Sequence, residues 1–180
     1  MINILVLFAS PHKQGKTAAL LNIYIEQYLK TLSENFKVNI LSIYDQHVLP
    51  CVGCNICIKS CICPQNTKDD VEKIFNYILK SNHIVVASPV YFSGFPSPLK
   101  ALIDRAQRLY NKKLRSGKVR NLKIRTGSLV ATCGSKNKNC FIPLRDCCKQ
   151  FFDCLDIALS SKLYAVNTDN LSNIKIYNEK

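Results

Sequence analysis

Ile2-Asn3-Ile4-Leu5-Val6-Leu7-Phe8, followed at once by Ala9-Ser10-Pro11-His12-Lys13-Gln14-Gly15-Lys16-Thr17, is the stretch that decides the fold. The first seven residues are almost all aliphatic or β-branched, the signature of a strand buried on both faces. The next stretch is a polar loop with hydroxyls, one glycine and three basic or potentially basic side chains. Ala18-Ala19-Leu20-Leu21-Asn22-Ile23-Tyr24 then carries apolar residues at helical spacing. Strand, anion-friendly loop and helix is the geometry in which backbone N–H groups and a helix N-terminus hold a phosphate.

The same alternation continues along the chain. The first helix is expected over residues 17–32, a second strand over 38–43 and a helix over 71–80, with Asp69 and Asp70 at its start. A third strand is expected over 83–87. A helix then begins at Ser97 or Pro98, where proline is tolerated in the first turn, and runs to about residue 110. A fourth strand is expected over 128–132, a helix over 143–155 and a short fifth strand over 163–166. This βα alternation implies one domain, residues 1–180, built on a parallel sheet with helices on both faces and right-handed crossovers. A long cysteine-rich loop, residues 44–68, is inserted after the second strand. Ligands of such sheets bind beyond the carboxyl ends of the strands, so the loops after strands one, three and four should line one site.

The first loop departs from both common nucleotide motifs. A dinucleotide turn needs G-x-G-x-x-G, and only Gly15 is present. A phosphate-binding loop of nucleotide hydrolases needs G-x-x-x-x-G-K-[ST]; Ser10 to Thr17 satisfies all but the first position, where Ser10-Pro11 would stiffen the turn. Asp45 after strand two is a candidate magnesium-side acid for that reading. The third-strand loop, Ser88-Pro89-Val90-Tyr91-Phe92-Ser93-Gly94-Phe95-Pro96, is rich in turn formers and holds two adjacent aromatics. It reads as a rigid aromatic wall suited to a flat ring system. Thr132-Cys133-Gly134-Ser135 is a small-residue loop on the same edge.

Composition narrows the classes. At 180 residues and 47% hydrophobic content the chain can bury a full core and is not disordered. It has no run of 18 apolar residues, and its N-terminus lacks the basic region and cleavage site of a signal peptide, so a cytoplasmic protein without membrane or nucleic-acid partners is expected. The net charge of +13 (25 basic minus 12 acidic) favours anionic ligands. Nine basic residues and no acid lie between Arg105 and Arg125, a solvated helix end or a patch able to meet a phosphate. Of ten cysteines, Cys133, Cys140, Cys147, Cys148 and Cys154 read as small core residues. The other five crowd into Cys51-Val52-Gly53-Cys54-Asn55-Ile56-Cys57-Ile58-Lys59-Ser60-Cys61-Ile62-Cys63. C-x₂-C-x₂-C-x₃-C fits ferredoxin-type ligation through Cys61, whereas Cys63 is the one followed by proline. Free or redox-active thiols remain an equal alternative, and zinc is less natural because two separated cysteine pairs are lacking.

Three segments together resemble the flavodoxin-like NAD(P)H-dependent FMN reductases, in particular the branch that includes the iron–sulfur flavoproteins. Ser10 to Thr17 resembles that family's S-x-R-x-x-[GS]-N-[TS] loop, with Lys13 and Lys16 where arginine and asparagine are usual. Cys51-Val52-Gly53-Cys54-Asn55-Ile56-Cys57, continuing to Asp69-Asp70, resembles its C-x-G-C-x-x-C loop. Ser88-Pro89-Val90-Tyr91, continuing to Leu99-Lys100-Ala101-Leu102-Ile103-Asp104-Arg105, resembles its S-P-[VI]-Y … L-K-x-x-[IL]-D-R segment. The resemblance implies a doubly wound, five-stranded parallel sheet of order 2-1-3-4-5. It implies FMN, with Ser10, His12, Lys13, Gly15, Lys16 and Thr17 at the phosphate and Pro89, Val90, Tyr91, Phe92, Ser93 and Gly94 flanking the ring. Thr132, Cys133 and Gly134 would lie at the ring's other edge. No protein nucleophile is expected, because the flavin carries the chemistry. The resemblance favours Cys51, Cys54, Cys57 and Cys63 as ligands of a [4Fe–4S] cluster.

The function so implied is electron transfer from NAD(P)H through FMN to a small acceptor (a quinone, nitro compound, flavin or metal ion) or a partner protein. NADPH is favoured if the basic run meets its 2′-phosphate. A non-enzymatic electron carrier or redox sensor, and a nucleotide hydrolase, are the alternatives. The helix expected after strand five is weak or missing, which leaves one sheet face to be completed by a second subunit; a homodimer or tetramer is therefore expected.

Overall fold

The structure, a computed structural model, describes residues 1–27, 35–117, 125–170 and 174–179. Among the described residues, six strands form one sheet in the order β2-β1-β3-β4-β5-β6. They are β1 (Ile2–Phe8), β2 (Phe36–Ser42), β3 (His83–Pro89), β4 (Arg125–Thr132), β5 (Ile157–Val166) and β6 (Lys175–Glu179). The first five are parallel in the order 2-1-3-4-5, and β6 adds antiparallel to β5. The helices are α1 (Lys16–Gln27), α2 (Ile56–Ser60), α3 (Val71–Lys80), α4 (Ser97–Arg105), α5 (Gln107–Ser116) and α6 (Phe141–Asp153).

The strand pleat explains why β1 is apolar throughout. Ile4, Val6 and Phe8 point to one face, where they meet Leu20, Leu21 and Tyr24 of α1. Leu5, Leu7 and Ala9 point to the other, into a larger core with Ile74, Phe75 and Ile78 of α3, Leu99 and Leu102 of α4, and Leu144, Phe151 and Phe152 of α6. Cys133, Cys148 and Cys154 are buried in that core, with Cys140 and Cys147 packed against it. Burial pushes the thiols of Cys140 up to about 12 and of Cys154 up to about 11. These five cysteines lie in or against the core, as expected of small apolar side chains.

Three sequence expectations are corrected. The fifth strand is ten residues long, not four; the five parallel strands stand in the expected order, and among the described residues an antiparallel sixth, β6, is added at β5. The helix from Ser97 does not run unbroken to residue 110. It is interrupted at Ala106, whose N–H turns back to the Ile103 carbonyl at 2.9 Å, and it then continues as α5 to Ser116. The first helix is described only to Gln27; residues 28–32 of its expected span lie outside the described residues.

Among the described residues, Arg105, Arg108, Lys113 and Arg125 of the basic run are not a solvated face. Arg105 and Asp69 form an ion pair at 2.5 Å with both side chains almost wholly buried. Arg108 pairs with Glu72 at 2.5 Å and lies over the Phe75 ring. Arg125 is buried and donates to the Ile78 and Leu155 carbonyls. Lys113 pairs with Asp156 at 2.9 Å. These side chains hold elements together, a use that a count of charges along the sequence does not show. Lys118, Arg120 and Lys123 lie outside the described residues.

Candidate functional site

The strand order changes direction beside β1, whose neighbours β2 and β3 follow it on opposite sides. The loops beyond the carboxyl ends of β1, β3 and β4 therefore meet at one edge. Backbone hydrogen bonds lock them side by side: Ala9 N–H to the Ala87 carbonyl, Val90 N–H to Thr132, and Cys133 N–H to Ala165, each 2.8 Å. The Thr17 and Thr132 hydroxyls lie 2.9 Å apart and tie the first turn of α1 to the end of β4. The structure thus brings all three predicted groups of residues to one edge.

The β1 loop is built as an anion cradle. Ser10 is buried, and its hydroxyl accepts the His12 N–H at 3.2 Å. The Gly15 N–H donates to the His12 carbonyl at 3.1 Å, closing a tight turn; a Cβ at Gly15 would stand 2.9 Å from His12 Cβ. Among the described residues, the N–H groups of Lys13, Gln14, Lys16, Thr17 and Ala18 find no acceptor in the chain. Those of the helix start are unpaired by construction, and with the helix dipole they favour an anion. An open cavity of about 580 Å³ lies over Pro11, His12, Lys13, Gln14 and Gly15. The Lys13 ammonium instead pairs with Asp45 at 2.6 Å, and this hydrogen bond holds the Asp45 carboxyl below its ordinary range. Asp45, the candidate magnesium-side acid, is engaged by a lysine.

The β3 loop forms the wall. Tyr91 and Gly94 exchange backbone hydrogen bonds at 3.0 and 2.9 Å across Phe92 and Ser93. Both of those have positive φ, 49° and 56°. That is a two-residue turn which normally takes asparagine and glycine, so the Phe92 ring is held wholly in solvent at a conformational cost of about 1 kcal/mol or more. Tyr44, in the turn after β2, stands near Tyr91; burial and that neighbour push its hydroxyl up. Sequence reading missed Tyr44, although its position just past a strand's carboxyl end was the available signal. On the far side, Gly134 leaves room for Asp169: a Cβ there would run into the carboxylate.

The cysteine loop is closed at its base by polar contacts. The Arg105 guanidinium donates to the Leu49 carbonyl at 3.0 Å, to Asp69 Oδ2 at 2.5 Å and to Asn66 Oδ1 at 3.3 Å. Asp69 also accepts the Leu49 N–H, and Asp70 accepts the His47 N–H. Arg105 therefore pins both ends of the loop to α4. The two acids stand at the start of α3 as expected: Asp69 Oδ1 also accepts the Val71 N–H at 3.2 Å, while the N-cap Asp70 side chain makes no cap bond. Within the loop, Cys51 and Cys54 are exposed and Cys57, Cys61 and Cys63 half-buried, all free thiols. Among the described residues no three histidine, cysteine or acidic side chains are gathered as a metal site.

The comparisons with known proteins come to the same place. The profile of the family described as NADPH-dependent FMN reductase matches residues 2–141. The chain belongs to this family. It is 31% identical over 138 residues to an iron-sulfur flavoprotein of Methanocaldococcus jannaschii, covering 76% of this chain and 64% of that protein. An iron-sulfur flavoprotein of Archaeoglobus fulgidus is 30% identical over 138 residues, covering 76% of this chain and 61% of that protein. The chain thus spans less than two thirds of these curated relatives. The structure of an azoreductase from Bacillus anthracis superposes with a TM-score of 0.70 at 14% identity, over 96% of this chain and 90% of that one, which shows the shared flavodoxin-like fold.

The residues fit the groups that these likenesses imply to different degrees. The unpaired amides of the β1 loop and the aromatic β3 turn suit a phosphate and a flat ring, as FMN requires. The loop from Cys51 to Cys63 offers five thiols with no acid or imidazole among them, a donor set chemically suited to an iron–sulfur cluster. Its thiols stand apart, so the donors suit a cluster while their present spacing does not preform one. No helix among the described residues is long and apolar enough to cross a membrane.

Proposed function

We propose that this chain is an FMN-dependent oxidoreductase that takes electrons from NADPH and delivers them to a small planar acceptor, such as a quinone or nitroaromatic compound, or to a partner protein. The observation that carries this reading is the β1 loop, whose free amides open onto an uncapped α1 beside the aromatic β3 turn. Ser10, His12, Gly15, Lys16 and Thr17 would hold the phosphate, with Lys13 released from Asp45 to join them. Pro89 to Gly94 would flank one side of the ring, and Thr132, Cys133 and Gly134 the other. When bound, FMN supplies the redox chemistry: it accepts an electron pair with a proton from the nicotinamide and can pass electrons on singly. The chain's part is to place the ring against the Tyr91 wall and to leave its outer face open.

The family's description supports NADPH as donor; Arg105, Arg108 and Arg125 of the basic run do not, since they are committed within the fold. A nucleotide hydrolase is disfavoured by Ser10-Pro11 in place of the first glycine and by the Lys13–Asp45 pair. Purified protein should show flavin absorbance, bleached by NADPH without oxygen. Flavin that binds but is not bleached would leave an electron carrier; no flavin would refute the reading.

Two further features belong to this proposal. The cysteine loop would hold a [4Fe–4S] cluster through Cys51, Cys54, Cys57 and Cys63, supported by its donor set and by the names of the relatives. Iron and acid-labile sulfide in anaerobically prepared protein, with Cys54→Ala as control, test it. Iron kept by Cys63→Ala but lost with Cys61→Ala would move the fourth ligand to Cys61. A homodimer or tetramer is supported by β6, which extends the sheet without covering its α1 face. A monomeric mass by light scattering would refute it.

A further inference from the structure

Helix α5 turns one face toward the cysteine loop. Asn111 and Arg115 are four residues apart and so stand one above the other on that face. Asn111 is 8% exposed, and its Nδ2–H donates to Cys57 Sγ at 3.4 Å. Arg115 donates to the Lys59 carbonyl at 2.5 Å and to the Ile58 carbonyl, at the C-terminal end of α2. The Cys61 N–H donates to the Cys57 carbonyl at 3.0 Å, and Cys61 turns the chain through φ 56°. The backbone that carries Cys57 and Cys61 is therefore fixed from α5. Among the described contacts, Cys57 is the only sulfur of the five that receives a hydrogen bond.

We propose that Asn111 is a positioning residue for the iron–sulfur cluster: it holds Cys57 toward the cluster and, through its N–H···S bond, raises the cluster's reduction potential. This rests on the reading that the loop binds a cluster. A donor to a metal-bound thiolate withdraws electron density from sulfur and stabilises the more negative, reduced cluster. A buried amide does this better than water because it is fixed in direction and stands in a low dielectric. Reduction adds one electron to the cluster and breaks no bond in the protein, so the effect is read directly as a potential. The remaining loop thiolates, which receive no donor among the described contacts, would not substitute for it. Arg115 acts on the same turn through carbonyl oxygens and has no sulfur contact, which makes it the internal control: losing it should loosen the loop without removing the donor.

The test uses the full chain, prepared and reconstituted without oxygen, as wild type, Asn111→Leu, Asn111→Ser and Arg115→Met. Iron and sulfide are counted first; dithionite titration followed by low-temperature electron paramagnetic resonance then gives the cluster potential apart from the flavin. Asn111→Leu keeps the volume and removes the donor. At the wild-type midpoint its reduced-to-oxidised ratio should fall several-fold, approaching tenfold, which for one electron is about 59 mV. Asn111→Ser, which retains a short hydroxyl donor, should lie between the two. Arg115→Met should lower iron occupancy with little change of potential. An Asn111→Leu protein with full iron and the wild-type potential would overturn the inference. Equal shifts in Asn111→Leu and Arg115→Met would also overturn it, since loosening alone would then explain them. Wild type without iron above the Cys54→Ala control would end the cluster reading itself, and the inference with it.

Discussion

Replacing Asp69 by asparagine should destabilise the whole domain more than any single change at the cofactor edge. The reason is the burial of its partner: the Arg105 and Asp69 side chains are 1% and 0% exposed, 2.5 Å apart. Arg105 also donates to Leu49 and Asn66, and both contacts would survive. The charge, however, would be left in the core without a counterion. Removing one partner of a buried pair costs about 3–5 kcal/mol, whereas replacing both by apolar groups of similar volume is often neutral or better. Against a typical total of about 5–15 kcal/mol, that loss is a large fraction. With a urea slope of about 2 kcal/mol/M, the midpoint should fall by roughly 2 M. The assay is urea unfolding followed by far-ultraviolet circular dichroism on wild type, Asp69→Asn, Arg105→Met and the double variant Asp69→Leu/Arg105→Met. Both single variants should be strongly destabilised, and the double variant should recover most of the loss. Because Arg105 pins both ends of residues 44–68, alkylation of Cys51 to Cys63 should also accelerate in the single variants. A single variant within about 1 kcal/mol of wild type, or a double variant no better than the singles, would refute the claim that an uncompensated buried charge is the dominant cost.

Other consequences are as direct. Thr17→Glu places a carboxylate among the amides that would hold the phosphate and breaks the contact with Thr132; FMN affinity should fall about 100-fold or more, near 2.7 kcal/mol, by fluorescence titration, and unchanged affinity would sink the phosphate assignment. Burial pushes His83 down to about 4, where its ring contacts Tyr24, Thr126 and Ser128. The unfolded chain would take up that proton first as pH falls, so stability is complete above about pH 6.5 and is lost between there and about pH 4. The loss amounts to about 3 kcal/mol at 1.36 kcal/mol per pKa unit, and His83→Asn should flatten this part of the pH–stability curve. Ser93→Gly relieves one of two adjacent positive φ values and should raise Tm by about 2 °C without altering the Tyr91 wall; a lower Tm would show that the turn is not strained.

The parallel βα order, the placement of β1 between two apolar layers, and the meeting of the loops that carry Ser10 to Thr17, Pro89 to Gly94 and Thr132 to Gly134 were all legible in the residues alone. Each follows from local patterning: period-two and helical periodicity, turn residues, and the rule that such sheets bind at strand carboxyl ends. The role of the charged residues was not legible. Arg105, Arg108 and Arg125 read as part of a basic patch, because the partners Asp69, Glu72 and the Ile78 and Leu155 carbonyls are distant in sequence. Arg105 and Arg108, three residues apart on either side of Ala106, are both buried against these partners. The C-terminal strand β6 was hidden for a similar reason: its five residues are mostly exposed and carry no burial pattern, so pairing with β5 decides it. Asn111 is an ordinary helical residue until α5 is laid against the cysteine loop and its amide meets Cys57. Periodicity is written along the chain, whereas the pairing of a charge or a hydrogen-bond donor depends on what folding brings opposite it.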